Sequence, residues 1–176
     1  MHKYKLLLFV IFALLPALCL GCGAQSTVSA RPPQGKLSNY EALEVADFQT
    51  KISDVPGDVI LGIPDKVARE LAVVGRTFSE VKRARIEDVP PEKVLTLVGV
   101  VTEYEAGGGL RASGGALKWG EGAIKVRVGL VDKSTEALVA QADIESSTSS
   151  AFTKGGMEKV YNKVVEEIVK FISTVY

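Results

Sequence analysis

Hydrophobic and polar positions alternate with a period of two in several short segments and recur with helical spacing in two others. The alternation over Ala42–Phe48 predicts a strand, and the strict alternation over Ile124–Leu130 predicts a strand with one buried face and one solvent-exposed face. Helical spacing after Pro64, a favourable first-turn residue, predicts a helix that ends near Gly75. A longer amphipathic helix is predicted after Gly155 as N-cap. Its charged positions, Glu166, Glu167 and Lys170 among them, are predicted to face solvent.

Further strands are predicted at Phe78–Ala84, Val94–Tyr104 and Leu138–Glu145, the last joined to its predecessor by a tight turn at Asp132–Glu136. The first half of Val94–Tyr104 is apolar on both faces, which predicts a central strand covered on both sides. Residues 58–63 either extend the first helix backwards or form a separate turn. The element order β-α-β-β-β-β-α predicts one small α/β (α+β) domain, a mixed sheet of about five strands with two main helices packed on it.

The N-terminal segment has the features of a secretory signal. The basic stretch Met1–Lys5 is followed by fifteen uncharged residues, Leu6–Leu20, fewer than the roughly 20 that a membrane-spanning helix needs. Small residues before Cys22 resemble the lipobox of bacterial lipoproteins, although Cys19 stands where that family usually has leucine. The resemblance implies cleavage before Cys22 and a lipid on that residue. The alternative is ordinary signal cleavage nearby without lipidation.

The chain is therefore expected to have three parts. Residues 1–21 are a lipoprotein signal peptide, residues 22–36 a lipidated flexible tether rich in Ser, Pro and Gly, and residues 37–176 the α/β domain. Gly23 follows the cysteine, where some inner-membrane lipoproteins have aspartate. By that resemblance the protein is expected at the periplasmic face of the outer membrane.

The amino-acid composition excludes several classes of function. The chain has 21 basic and 21 acidic residues, which excludes a nucleic-acid binder that works by neutralising phosphates. Its one histidine, His2, lies in the signal segment, so the mature chain hosts neither a Ser-His-Asp centre nor a histidine-ligated zinc site. We therefore expect no enzyme, no cofactor and no metal.

The glycine-rich segment 107–122 carries the strongest candidate interaction residues. It has seven glycines in sixteen positions, but Gly115 stands where a phosphate-binding loop needs its lysine. Two interpretations stay open. The segment is either a flexible hairpin connection or a loop that contacts a partner or a membrane. In the second case its apolar anchors are Leu110, Leu117 and Trp119, flanked by the charges of Arg111 and Lys118.

Other polar residues have simpler explanations. Glu103 and Glu105 share a strand face, where paired carboxylates either act in glycoside cleavage or, far more often, solvate the strand end. Asp47 and Asp132 each follow a strand, a position typical of turns and caps. Basic residues at 82–85 are expected to discourage edge pairing with other chains.

From the first strand to the last helix, the chain resembles a bacterial lipoprotein family known only as a domain of unknown function (DUF4410). The resemblance rests on Leu43–Phe48, Phe78–Val81, Gly120–Asp132 and the closing helix. That family usually has Thr-Gly in the turn after the aspartate, whereas residues 134–136 here contain no glycine. More distantly, the layout resembles the periplasmic α/β domain of the TolB amino-terminal region, CsgG and LpoB. These relatives imply an adaptor or assembly factor.

The leading hypothesis is thus a lipid-anchored, non-catalytic periplasmic adaptor that binds another protein of the cell envelope. The second hypothesis is self-association of copies into a ring or channel. The third is a small-ligand binder or weak enzyme that uses Asp, Glu, Lys or Tyr.

Overall fold

The computed structural model describes residues 24–33, 35, 37–74, 77–107, 110–113, 116–119, 122–148 and 156–176 of the chain. The expected signal peptide, Cys22, and the caps at Gly75 and Gly155 lie outside these residues. The described residues form one α+β domain with a mixed sheet, as the element order predicted.

The strands are β1 (Gln25–Arg31), β2 (Ala42–Val45), β3 (Gln49–Thr50), β4 (Glu80–Lys82), β5 (Val94–Ala106), β6 (Leu110–Ser113), β7 (Ala116–Trp119), β8 (Gly122–Asp132) and β9 (Leu138–Thr148). Seven of them form the main sheet in the order β1-β9-β8-β5-β2-β4, with β3 also paired to β5. The pairings of β2 with β4, β2 with β5 and β3 with β5 are parallel, and those of β1 with β9, β5 with β8 and β8 with β9 are antiparallel. Strands β6 and β7 form a separate two-stranded sheet.

Two α-helices accompany the sheet, α1 (Ile63–Val74) and α2 (Gly156–Val175). A π-helical turn at Asp58–Gly62 leads directly into α1, so this segment extends the helix backwards. Helix α1 connects the parallel neighbours β2 and β4, the crossover that parallel strands require. Short 3₁₀ turns lie at Leu37–Asn39 and Pro91–Lys93.

The core lies between one face of the sheet and both helices. Alternate residues of β5, β8 and β9 face the apolar stripes of α1 and α2, which confirms the predicted periodicities. The largest fully buried side chains of this core include Phe48, Leu43, Ile63, Leu95, Leu97, Ile124, Leu130, Ile144, Ile168 and Ile172.

The opposite face of the sheet is mostly open. Among the described residues, a small cluster of Ala42, Ile86 and Val94 is buried there. Val98 and Val100 of β5 are 37% and 39% exposed, so the prediction of a strand covered on both sides is wrong for them. Their apolar side chains reflect the high β propensity of valine, which does not by itself say whether the face is covered.

The N-terminal segment corrects a second expectation. Residues 25–31, predicted to belong to a flexible tether, form strand β1, which pairs antiparallel with β9 from Gln25↔Ser147 to Arg31↔Gln141. Strand β1 lies at the edge of the sheet, and the five residues that follow Ser26 are exposed. Polar side chains therefore destabilise neither face of this strand, so its sequence shows only a weak hydrophobic alternation.

The β8–β9 turn offers a first test of the fold. Asp132 Oδ1 accepts hydrogen bonds from the backbone N–H groups of Ser134 (2.9 Å) and Thr135 (2.8 Å), and Glu136 follows with a φ of 57°. The left-handed backbone conformation costs a residue with a Cβ roughly 1–2 kcal/mol relative to glycine. Glycine offsets part of this advantage, because it loses more conformational entropy on folding. Glu136→Gly should therefore stabilise the protein by about 0.5–1 kcal/mol in chemical denaturation, whereas Glu136→Ala should give no gain.

Candidate functional site

The five predicted interaction residues lie together in the β6–β7 hairpin. Its register pairs Leu110 with Trp119, Arg111 with Lys118, Ala112 with Leu117, and Ser113 with Ala116. These pairings bring the five residues into one two-stranded sheet, separate from the main sheet.

The hairpin begins at the end of the sheet where the described chain also begins. Strands β5 and β8 pair as far as Ala106↔Gly122, and Gly122 is paired with Thr148 of β9. On the other side of β9, Ser147 is paired with Gln25, the first residue of β1. Gly122 is therefore two strand spacings from the start of β1, about 10 Å, and Ala106 is three spacings from it, about 14 Å.

A second candidate surface is a groove of about 350 Å³ between the edge strand β1 and helix α2. Its walls come from Ser26, Val28 and Ala30 of β1 and from the C-terminal half of α2, including Phe171 and Val175. The prediction of an unstructured tether missed this groove. Its sequence signal is the period-two run of small and apolar residues at positions 26, 28 and 30.

The floor of this groove contains a buried carboxylate. Glu167, predicted to face solvent, is only 8% exposed, because β1 covers this side of α2. Its Oε1 accepts hydrogen bonds from Ser26 Oγ at 2.8 Å and pairs with Lys163 Nζ at 3.2 Å. Burial alone would raise the pKa of Glu167, but the Ser26 hydroxyl and Lys163 outweigh it and hold the pKa below its usual value. The carboxylate is thus neutralised from within the chain.

The other edge of the sheet is charged and internally paired. Arg83 follows β4 and bonds to Asp65 Oδ1 through Nε at 2.6 Å, and its guanidinium also reaches Asp47 and the carbonyl oxygen of Val45. Lys82 pairs with Glu80. The basic residues at this edge therefore satisfy acidic neighbours, and Asp47 is used to hold Arg83 against the end of β2.

Asp132 is a structural residue of the turn. Besides its backbone bonds, Asp132 Oδ2 accepts a hydrogen bond of 2.7 Å from the Tyr40 hydroxyl. Burial opposes ionisation of Asp132, but bonds from Ser134, Tyr40 and Thr135 hold its pKa well below the usual range. Burial, together with the adjacent carboxylate, raises the pKa of Tyr40 to about 12. Both carboxylate oxygens of Asp132 therefore accept hydrogen bonds from within the chain.

Glu103 and Glu105 lie after an irregularity in the β5–β8 pairing at residues 101–103. Glu103 Oε1 is 3.3 Å from Lys125 Nζ, at the open face of the sheet, and its side chain is 67% exposed. Lys125 also lies 3.7 Å from Glu145 on β9. Lys125 of β8 thus lies between carboxylates of β5 and β9 in a solvent-exposed network of ion pairs.

The described part of the chain contains no group of three or more His, Cys, Asp or Glu residues placed to hold a metal ion. Among the same residues, neither helix has the length and apolar character needed to span a bilayer.

No protein-family model and no curated protein matches the sequence. The resemblance to DUF4410 and to the TolB, CsgG and LpoB domain therefore stays a prediction.

Solved structures do match the fold. A PelC variant from Paraburkholderia phytofirmans, solved as a dodecamer, superposes with a TM-score of 0.57 and 17% identity, over 86% of this chain and 97% of that chain. A Xanthomonas campestris protein of the DUF330 family gives a TM-score of 0.50 and 16% identity, over 82% and 90%. A lipoprotein of Neisseria meningitidis gives 0.45 and 16%, over 76% and 99%. At these identities the first two similarities establish a shared fold and nothing further.

Proposed function

We propose that this protein is a lipid-anchored, non-catalytic lipoprotein of the cell envelope, held at the periplasmic face of the outer membrane, whose copies assemble side by side into an oligomer. The observation that carries the proposal is the edge strand β1 with its adjoining groove. The lipid anchor rests on the sequence around Cys22.

The sheet has two edges at opposite sides of the domain, β1 and β4. On its outer side β1 has no partner strand among the described residues, so a row of backbone N–H and C=O groups is available to another chain. Contacts between unlike surfaces of successive copies close into a ring when the rotation allows it. PelC, which shares this fold, was solved as a dodecamer.

The groove adds an apolar component to this edge. Val28 is 42% exposed and borders the groove with Phe171 and Val175 of α2. Since Glu167 is already paired with Lys163 and Ser26, the buried carboxylate of the groove needs no partner from another chain. Such a surface suits burial against a neighbouring copy, where apolar area contributes about 25 cal/mol per Å².

A charge on the edge strand should prevent assembly. We expect the detergent-extracted, lipidated protein to be an oligomer by light scattering over a range of concentrations, and Val28→Lys to be a monomer, because the lysine would be desolvated in the groove. Val100→Lys is the matched control: Val100 is 39% exposed against 42% for Val28, but lies in the central strand β5. This control should remain oligomeric.

A wild-type protein that stays monomeric at every concentration would overturn the assembly. An oligomer disrupted equally by both substitutions would assign the interface to the open sheet face instead of the β1 edge.

The open sheet face supports a second candidate function, an adaptor for a different envelope protein. Val98, Val100 and Leu138 expose 37–44% of their surface there, next to the Arg127–Asp143 ion pair. Crosslinking in the membrane distinguishes the two functions. A regular ladder of the protein itself supports assembly, and a discrete adduct with a foreign protein that is lost in Val100→Lys supports the adaptor.

A further inference from the structure

We propose that strand β1 and the groove beside it form a strand-addition site, which takes an extended polypeptide segment with apolar side chains at alternate positions and one carboxylate. This site rests on the proposed function and deepens it, because it names the kind of segment that the β1 edge accepts from a neighbouring chain. Three features of the described residues carry it: an unprotected edge strand, a groove along that strand, and a lysine in the groove that has no ion-pair partner.

Strand β1 lacks the features that keep the edge of a sheet from pairing with other chains. Its seven residues pair with β9 in one uninterrupted register without a bulge, and they include neither proline nor lysine. The single charged residue of the strand is Arg31, at its last position. The opposite edge, β4, has three residues, of which Glu80 and Lys82 are charged. Because short length and charge protect an edge, β4 is protected and β1 is not.

The groove opens along this edge, because helix α2 packs further in, on β8 and β9. Ser26, Val28 and Ala30 line it from β1, since alternate residues of the strand face the helix. The strand from 26 to 30 is about 13 Å long, and the facing part of α2, from Glu167 to Val175, is about 12 Å long. A strand added to β1 would therefore place every second side chain along this groove of about 350 Å³.

The walls of the groove suit apolar side chains. Val28 and Ala30 of β1 lie across the groove from Phe171 and Val175 of α2. Val28 is 42% exposed, so a side chain that covers it would remove apolar surface from water. In strand addition, backbone hydrogen bonds to the edge provide affinity, and the alternate side chains provide specificity.

Lys170 gives the groove a preference for a carboxylate. It lines the groove one helical turn beyond Glu167, whose carboxylate is already bound by Ser26 and Lys163. Among the described residues, Lys170 forms no ion pair. The acidic group of the groove is thus neutralised within the chain, whereas the ammonium group of Lys170 is available to an acidic side chain of the added segment.

A synthetic peptide tests the site directly. The probe is the fluorescein-labelled, amidated heptapeptide Thr-Val-Thr-Val-Thr-Glu-Thr, whose two valines and glutamate share one face when it is extended. Its binding to the full-length, detergent-extracted protein is measured by fluorescence anisotropy, and we expect it to be saturable. Binding should be lost in Val28→Lys and retained in Val100→Lys, which lies in the central strand β5.

Two N-methylated versions of the peptide test the backbone pairing. One version is methylated at the odd residues and the other at the even residues, so each lacks the N–H donors of one side of the extended chain. Strand addition uses the donors of one side only. We therefore expect one version to bind about tenfold or more weakly than the parent peptide and the other to bind like it.

A charge reversal tests the preference for a carboxylate. Lys170→Glu should weaken binding of the glutamate peptide about fivefold and strengthen binding of the same peptide with lysine in place of glutamate. A misfolded variant would not gain affinity for the lysine peptide. Lys159→Glu is the matched control, since it makes the same change at an exposed residue of α2 about 16 Å before Lys170 along the helix. It should bind both peptides as the wild type does.

The outcomes separate this site from the assembly. A peptide that binds and disperses the oligomer supports both, because both use β1. Binding to a protein that is monomeric at every concentration supports the strand-addition site and overturns the assembly. An oligomer that neither binds the peptide nor is dispersed by an excess of it overturns the strand-addition site and leaves the assembly. Equal binding of the parent and both N-methylated peptides overturns the backbone pairing, and equal effects of Lys170→Glu and Lys159→Glu overturn the role of Lys170.

Discussion

Replacement of Gly99 by alanine should destabilise the protein by about 2–3 kcal/mol, because no space exists for a methyl group above this residue of β5. A Cβ at Gly99 would lie 2.4 Å from Cδ1 of Phe48, whose ring is 1% exposed. The ring is enclosed by the core and cannot move aside without displacing its own neighbours. The free energy of unfolding, measured by denaturant titration, gives the magnitude directly.

Gly129 supplies the control, since it lies in β8 directly opposite Val98. A Cβ at Gly129 would lie 2.8 Å from Cδ1 of Leu138, the flexible end of a side chain that is 44% exposed. Gly129→Ala should therefore be neutral or slightly stabilising, since alanine restricts the unfolded chain. If the clash with Phe48 is the cause, the penalty of Gly99→Ala should largely vanish in a Phe48→Ala background. An additive double variant would contradict the explanation.

Replacement of Asp132 by alanine should cost about 2–3 kcal/mol near neutral pH. The substitution removes the acceptor of the Tyr40 hydroxyl at 2.7 Å and of the Ser134 and Thr135 N–H groups at 2.9 and 2.8 Å. It leaves the half-buried Tyr40 hydroxyl without its partner, and hydrogen bonds to a charged acceptor contribute more than neutral ones. Asp143→Ala in the neighbouring strand, which breaks only the exposed ion pair with Arg127, should cost less than about 1 kcal/mol.

The lowered pKa of Asp132 also predicts how the difference in stability between wild type and Asp132→Ala changes with pH. The pKa of Asp132 is lowered in the folded protein from its usual 3.8, so the carboxylate stabilises the fold above that pH and loses this effect as the pH falls further. The difference between wild type and Asp132→Ala should therefore narrow between pH 4 and pH 2, by up to about 1.4 kcal/mol per pH unit. A difference that is constant over this range would show that the charge contributes nothing.

The Tyr40–Asp132 pair also predicts that the stability of the fold changes at alkaline pH, where the Tyr40 hydroxyl ionises. Burial and the adjacent carboxylate raise the pKa of Tyr40 to about 12, so its neutral form stabilises the fold below pH 10 and this contribution is lost as the pH rises through 12. In Asp132→Asn the tyrosinate no longer faces a negative charge, and ultraviolet titration should find the Tyr40 transition at lower pH.

Much of the fold could be predicted because local periodicity carries it. Both helices have apolar stripes that match their buried residues, and the strict alternation of Ile124–Leu130 lies within β8. The β8–β9 hairpin was predicted from two alternating segments and a turn, and the aspartate of that turn caps it as expected of its position. In each case neighbouring residues in the chain supply the whole signal.

The errors have a common cause. Glu167 is charged and lies on the polar side of α2, yet β1 covers it, and Val98 and Val100 are apolar yet uncovered. Strand β1 has too few apolar residues to be recognised, because it forms on the free edge of β9. None of these outcomes depends on sequence neighbours.

The sequence by itself determined both helices, the strands β2, β4, β5, β8 and β9, the class of the domain, and a chemistry that lacks histidine beyond the N-terminal segment. Only the tertiary structure decided that residues 25–31 form a strand instead of part of a tether, since pairing of β1 with β9 links residues 110 to 122 positions apart. It also decided that two parts of the glycine-rich segment, β6 and β7, pair with each other in a sheet of their own. Register and edge pairing are long-range backbone contacts, and local hydrophobic patterns do not encode them.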